Sequence, residues 1–155
     1  METIIEKVML LQNVELFSDV PTEQLSHLAS IAEVRHIDQG KILFHENDPS
    51  DALYILISGK INMVKNNSTI YEIGDFEAVG TLGFFDQEPR IFTAVCEKPC
   101  RMLEIDSTAF FDLLEERIHI ARYLLKYFVK RLRAVYDGSS ETLILSSKKQ
   151  KVIED

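Results

Sequence analysis

Cysteine is scarce in this chain. Cys96 and Cys100 are the whole supply, separated by Glu-Lys-Pro. Two thiols are too few for a disulfide-stapled scaffold, and one C-x3-C without further ligands does not make a zinc site. The pair reads as two small strand residues flanking a turn. No apolar run approaches the ~20 residues of a membrane span. The first stretch, METIIEKVMLL, carries Glu2, Glu6 and Lys7. It lacks the basic start and small-residue cleavage site of a secretion signal, so the cytoplasm is the expected location. Paired metal ligands are also missing. His36 and His45 stand apart, and Glu46 follows His45 directly, so on a strand the two would point to opposite faces. No serine–histidine or cysteine–histidine pairing suggests catalysis. The expectation is a protein that is not an enzyme and has no metal site and no cofactor in the strict sense.

Positive charge is scarce over most of the length. Residues 1–116 hold 21 acidic against 8 basic side chains, a balance of −13. Residues 117–136 reverse this with Arg117, Arg122, Lys126, Lys130, Arg131 and Arg133 and no acid, a balance of +6. An acidic body disfavours general nucleic-acid binding. It also requires that any anionic ligand be held by local groups against the global field.

At 155 residues the length fits one domain with a substantial core. Helical spacing opens the chain. Thr3 and Glu6 fit a capping box, and Ile4, Ile5, Val8, Met9 and Leu11 are expected on one side of a helix over 3–12. Pro21 suits the first turn of a second helix with Leu25, Leu28, Ala29 and Ala32 as its stripe and His27 exposed. From Val34 the period becomes two. Short segments at 34–37, 41–46, 53–58, 60–65, 68–73, 91–96 and 101–105 are punctuated by Gln39-Gly40, Asn47-Asp48-Pro49, Ser58-Gly59, Asn66-Asn67 and Gly74-Asp75. Many short strands at this spacing indicate a sandwich or barrel. Asp106-Ser107-Thr108 offers a helix N-cap. The longest helix follows at about 117–136, with Ile118, Ala121, Leu125, Phe128, Leu132 and Val135 spaced as a heptad seam. The stretch 137–155 reads as a tail or linker.

Between the strands lies Gly80 to Thr93, GTLGFFDQEPRIFT. Two glycines three residues apart free backbone amides, and Pro89-Arg90 adds a guanidinium. Together they can form a small anion cradle, since a guanidinium fork suits phosphate oxygens and amides at a short helix N-terminus favour an anion. Helix pair, β-barrel, glycine cradle with Pro-Arg and long amphipathic helix, in that order, resemble the cyclic nucleotide-binding domain family over about residues 13–136. Scaffold motifs of the family stand here as Gly40 to Asp48 and Tyr54 to Ile61. Asn47 takes the place of a glycine in a Glu-Gly-Asp turn, and asparagine tolerates positive φ.

The resemblance implies a mainly β fold with flanking helices: a double-stranded β-helix (jelly-roll) barrel. It places N-terminal helices at 3–32, the barrel at 34–105 and C-terminal helices at 107–136. It implies a regulatory module whose candidate ligand is cAMP or cGMP. Gly80, Leu82, Gly83, Phe84, Phe85, Pro89, Arg90 and Thr93 match the family's cassette, in which the arginine pairs with the cyclic phosphate. The ligand-contact set carried over is Gly80, Thr81, Leu82, Gly83, Arg90, Ile91 and Thr93, with Tyr123 or Tyr127 as a stacking lid. Two positions depart from the pattern. Thr81 stands where the family has a glutamate that accepts from the ribose 2′-hydroxyl, a loss of roughly 1.5–3 kcal/mol. That corresponds to about one to two decades of affinity. Ile91 and Phe92 replace two small residues beside the phosphate. A second reading therefore stands: a degenerate domain, plugged by Phe92, that serves as an interaction or dimerisation module. Apart from the cassette, Arg90 reads as an ion pair with Asp86 or Glu88. The 118–135 seam is expected to make a homodimer, to reach a larger effector, or to lie on the body. Direct DNA binding is not expected, because the 19 residues after Tyr136 do not make a helix-turn-helix domain.

Overall fold

A computed structural model of the chain describes residues 2–138. Helix α1 (Ile4–Leu11) opens with the expected capping box. The Thr3 hydroxyl accepts from the Glu6 amide at 3.1 Å, and the Glu6 carboxylate accepts from the Thr3 amide at 2.9 Å. Its buried residues are Val8 and Leu11, while Ile5 is 74 % and Met9 60 % exposed. The five-residue stripe is thus corrected to one i, i+3 edge, because this short helix meets its neighbour along a single line. Helix α2 (Thr22–Ile31) follows a 3-10 turn at Glu15–Phe17 and has Pro21 as its N-cap. Leu25, Leu28 and Ala29 are buried, His27 is half-buried rather than exposed, and Ala32 already starts the first strand.

The strands are β1 (Ala32–Ile37), β2 (Ile42–Phe44), β3 (Ala52–Ser58), β4 (Ile61–Lys65), β5 (Ser68–Ile73), β6 (Ala78–Val79), β7 (Thr93–Cys96) and β8 (Cys100–Asp106). They form two four-stranded antiparallel sheets, β1-β8-β3-β6 and β2-β7-β4-β5. The expected barrel is corrected here: among the described residues no ladder joins the two sheets. The chain passes between them at turns, such as Gly59-Lys60 and Glu97-Lys98-Pro99, where no strand pairing is made. The result is a two-sheet jelly roll.

β3 explains the architecture. Its residues from Ala52 to Ile57 are all buried. Leu53, Ile55 and Ile57 join Leu103 and Ile105 under the helices, and Tyr54 and Leu56 join Phe44, Ile61, Met63 and Met102 between the sheets. A strand covered on both faces loses the apolar/polar alternation and reads as a continuous apolar run.

After the two-turn element α3 (Thr81–Phe84), helix α4 (Ser107–Glu116) is capped by Asp106, whose carboxylate accepts from the Ala109 amide at 3.0 Å. Helix α5 (Ile118–Tyr136) buries Ile120, Leu124 and Tyr127 against the body. Lys130 pairs with Asp19 at 2.9 Å, and Lys126 lies 4.0 Å from the same carboxylate. The expected seam is corrected: Ile118, Leu125 and Leu132 are 67 %, 65 % and 47 % exposed. Ala121, Phe128 and Val135 are only half-buried. The helix carries two apolar faces, and the 3-4 spacing drew residues from both into one line. Among the described residues no helix is long and apolar enough to cross a membrane, and no cluster of three or more His, Cys, Asp or Glu is placed to hold a metal. The tail from 139 onward lies outside the described residues.

Candidate functional site

The cradle is built on two left-handed glycines. Gly80 has φ 86° and Gly83 φ 98°. Leu82 (ψ 128°) and Gly83 (ψ −46°) are not helical, so 81–84 is a pair of turns. The expected helix N-terminus for an anion is therefore not formed. Each glycine also sits against a neighbour: a Cβ on Gly80 would lie 2.2 Å from Arg90 Nη1, and one on Gly83 2.3 Å from Ser50 Oγ.

Arg90 is the centre of the site, and it is 2 % exposed. The backbone on either side is held by the 47–48 turn: Arg90 N donates to Asp48 O at 2.9 Å, and Asn47 N donates to Arg90 O at 2.8 Å. Asn47 has φ 72°, so the turn keeps its shape without glycine. The guanidinium spans two elements. Nη1 donates to Gly80 O at 3.0 Å, Nη2 donates to Ala52 O at 2.6 Å, and the group lies 4.1 Å over the Phe44 ring. Within 4 Å its carboxylate neighbour among the described residues is Asp51, at 3.9 Å and 80 % exposed, in place of the expected Asp86 or Glu88. Burial pulls the guanidinium pKa below its ordinary value, and Tyr54, Asp51 and Asp48 oppose that shift. Arginine still remains protonated.

Gly80, Thr81, Leu82, Arg90 and Ile91 share one small cavity, whereas Gly83 and Thr93 do not line it. Thr93 uses its hydroxyl to accept from the Glu46 amide at 3.0 Å. Ile91 is 39 % exposed, and its carbonyl accepts from Lys65 Nζ at 3.2 Å. Thr81 is buried, and neither its Oγ1 nor Arg90 Nε has a hydrogen-bond partner among the described residues. The cavity measures about 20 Å³. Small-molecule pockets usually enclose about 300–1,000 Å³. Phe92 narrows it from one side and meets Tyr71 edge-on, with centroids 5.4 Å apart at 88°. Neither Tyr123 nor Tyr127 lines the cavity, and Tyr127 belongs to the core under the helices.

Sequence reasoning missed Phe44, Met63 and Tyr71, which with Ala78 and Phe92 complete the wall. Their strands were recognised, but facing residues of β2, β4 and β5 are paired only by the fold. It also missed the link outward. Phe84 touches Phe110 and Phe111 of α4 (5.0 and 5.7 Å), and Phe85 touches Phe110 (5.6 Å) and Phe128 of α5 (5.0 Å). A continuous set of rings therefore joins the cradle to the long helix.

The family model of the cyclic nucleotide-binding domain matches residues 34–117, more than half of the chain. The chain belongs to the cyclic nucleotide-binding domain family. It is similar to a CRP-like cAMP-activated global transcriptional regulator of Mycobacterium tuberculosis, with 26 % identity over 133 residues, covering 83 % of this chain and 59 % of that protein. It is 28 % identical over 124 residues to an uncharacterized NTE family protein of the same species, covering 79 % of this chain and 21 % of the relative. The chain thus spans less than two thirds of the length of each of these relatives. Among solved structures, the N-terminal domain of a transcriptional regulator from Streptomyces coelicolor A3(2) superimposes with a TM-score of 0.74 at 27 % identity, covering 84 % of this chain and 94 % of that one.

Proposed function

We propose that this cyclic nucleotide-binding domain is a regulatory, non-catalytic sensor that binds cAMP or cGMP by opening a site closed at rest. The observation that carries the reading is the ring contact between Phe85 and Phe128, 5.0 Å apart, which ties the cradle to α5. A cavity of about 20 Å³ does not admit a nucleotide. Entry requires Arg90 to release Gly80 O and Ala52 O and Phe92 to leave Tyr71. Phosphate oxygens then replace the two carbonyls on the guanidinium and satisfy Nε as well. Because the open state is a minor one, apparent affinity is reduced by its population. The ligand acts through its differential affinity for the two states. Displacement of Phe84 and Phe85 changes the surface on which Phe128 rests, and α5 shifts in response.

Hydrogen exchange tests this coupling. With saturating cAMP, protection is expected to change both over 80–92 and over 118–136. In Phe85→Ala the response of α5 should fade while that of the cradle persists. A wild-type response confined to the cradle would contradict the reading.

The second reading, a domain that has lost nucleotide binding and serves as an interaction module, is favoured by one observation. Ile118, Leu125, Val129, Leu132 and Tyr136 form an exposed apolar stripe on α5, on the side away from Ile120, Leu124 and Tyr127. Either reading uses that stripe as the contact to a second copy or a larger effector. What the longer relatives do as whole proteins does not bear on this choice.

A further inference from the structure

We propose that the exposed stripe of α5 docks an acidic amphipathic helix of a partner polypeptide, rather than the α5 of a second copy. This rests on the reading of α5 as output element and names the chemistry of what it contacts. The stripe runs Ile118, Leu125, Val129, Leu132, Tyr136, with exposures of 67 %, 65 %, 48 %, 47 % and 84 %. Spacings of seven, four, three and four keep these residues on one line of a helix. Large apolar side chains left in water along such a line mark an interaction surface.

Charge selects the occupant. Residues 117–136 carry six cations and no carboxylate. Lys126 and Lys130 are engaged with Asp19 of the same chain. Arg122 and Arg133 are exposed, stand on the flank of the stripe and take no part in those pairs. An antiparallel pair of α5 helices would set one cationic flank against the other. A parallel pair would set it against the flank of Ala121 and Phe128, which is apolar and turned toward its own body. In neither arrangement does the opposing helix supply an acid, and like charges at short range are destabilising. A helix with its own apolar line flanked by Glu or Asp satisfies both features. Its association would be steered by opposite charge and weakened by salt.

The test uses the full chain and two fluorescently labelled synthetic peptides of one helical design. Each has leucine and isoleucine at the seam positions; one has glutamate on the flanks and the other lysine. Anisotropy should show the acidic peptide binding at least tenfold more tightly than the basic one, with affinity falling several-fold between low salt and 0.3 M salt. Leu125→Glu should abolish binding. The double variant Arg122→Glu, Arg133→Glu should reverse the preference between peptides. Leu125 is 65 % exposed, so the fold should survive, and circular dichroism checks that. Four outcomes overturn the proposal. They are equal binding of both peptides; no binding, as expected if residues 139–155 of the chain cover the stripe; a stable homodimer in sedimentation at tens of micromolar that Leu125→Glu dissociates; and binding to phosphatidylserine vesicles with no binding of the acidic peptide. None of them depends on cAMP, so failure here is separable from failure of the sensor reading.

Discussion

Consider Arg90→Ala in the absence of any ligand. A residue that only awaited a phosphate would leave the resting fold indifferent to its loss. Here the side chain is 1 % exposed and holds Gly80 O and Ala52 O at 3.0 and 2.6 Å over the Phe44 ring. Alanine removes both donors. Orphaned buried acceptors cost about 1–3 kcal/mol each, and the void left by a large side chain adds to that. Relief of a buried cation with one exposed carboxylate near it offsets about 1–2 kcal/mol, within the range seen when buried charges are removed. The expected net loss is about 3 kcal/mol. For a chain of this length each kcal/mol lowers Tm by about 2–4 °C, so the drop is about 6–12 °C by calorimetry. Arg90→Lys should recover only part of it, because an ammonium cannot span two carbonyls as a planar fork does. A Tm within about 2 °C of wild type for Arg90→Ala would refute the strut and with it the picture of a site closed by its own arginine, because an unpaired buried acceptor alone costs more.

The other expectations are narrower. Gly80→Ala places a Cβ 2.2 Å from Arg90 Nη1 at φ 86°, and should lower the urea-derived stability by about 2–4 kcal/mol; a change under about 0.5 kcal/mol, the size of a neutral surface substitution, would count against the close approach. Alkali should unfold the domain. Burial first, with nearby carboxylates adding, raises Tyr54 and Tyr71 from 10.0 to about 12, and burial raises Tyr127 likewise. Burial and then Cys100 raise Cys96 from 9.0 to about 12. The folded state holds these protons more tightly than the unfolded one. Their stabilising contribution is therefore complete below about pH 9 and is lost as pH climbs toward 12; flat stability across that window, followed by denaturant titration, would contradict the burial of these groups.

Much of the scaffold was legible because its signals are local. The Thr3–Glu6 box, the Asp106 cap and the 68–73 strand stand where their residues place them. β6 (Ala78–Val79) was not legible, since two residues carry no period. Closure of the barrel was not legible either, because whether two sheets share a ladder depends on crossings rather than on strand pattern. Within the site, the glycines and Arg90 were found by motif, yet what Arg90 holds was hidden. Ala52 O and Gly80 O are backbone groups that any residue could offer. The α5 seam failed for a related reason: a helix with two apolar faces presents heptad spacing that straddles both, and only packing tells which residues go inward.

The central claim is that a nucleotide binds by opening this closed site. Isothermal titration of cAMP and cGMP into wild type and Phe92→Ala measures it most directly. The account predicts weak, saturable heat from wild type. It also predicts affinity at least tenfold tighter in Phe92→Ala, because the ring no longer has to leave Tyr71 before the ligand enters. Absence of heat from both proteins at millimolar nucleotide would contradict it.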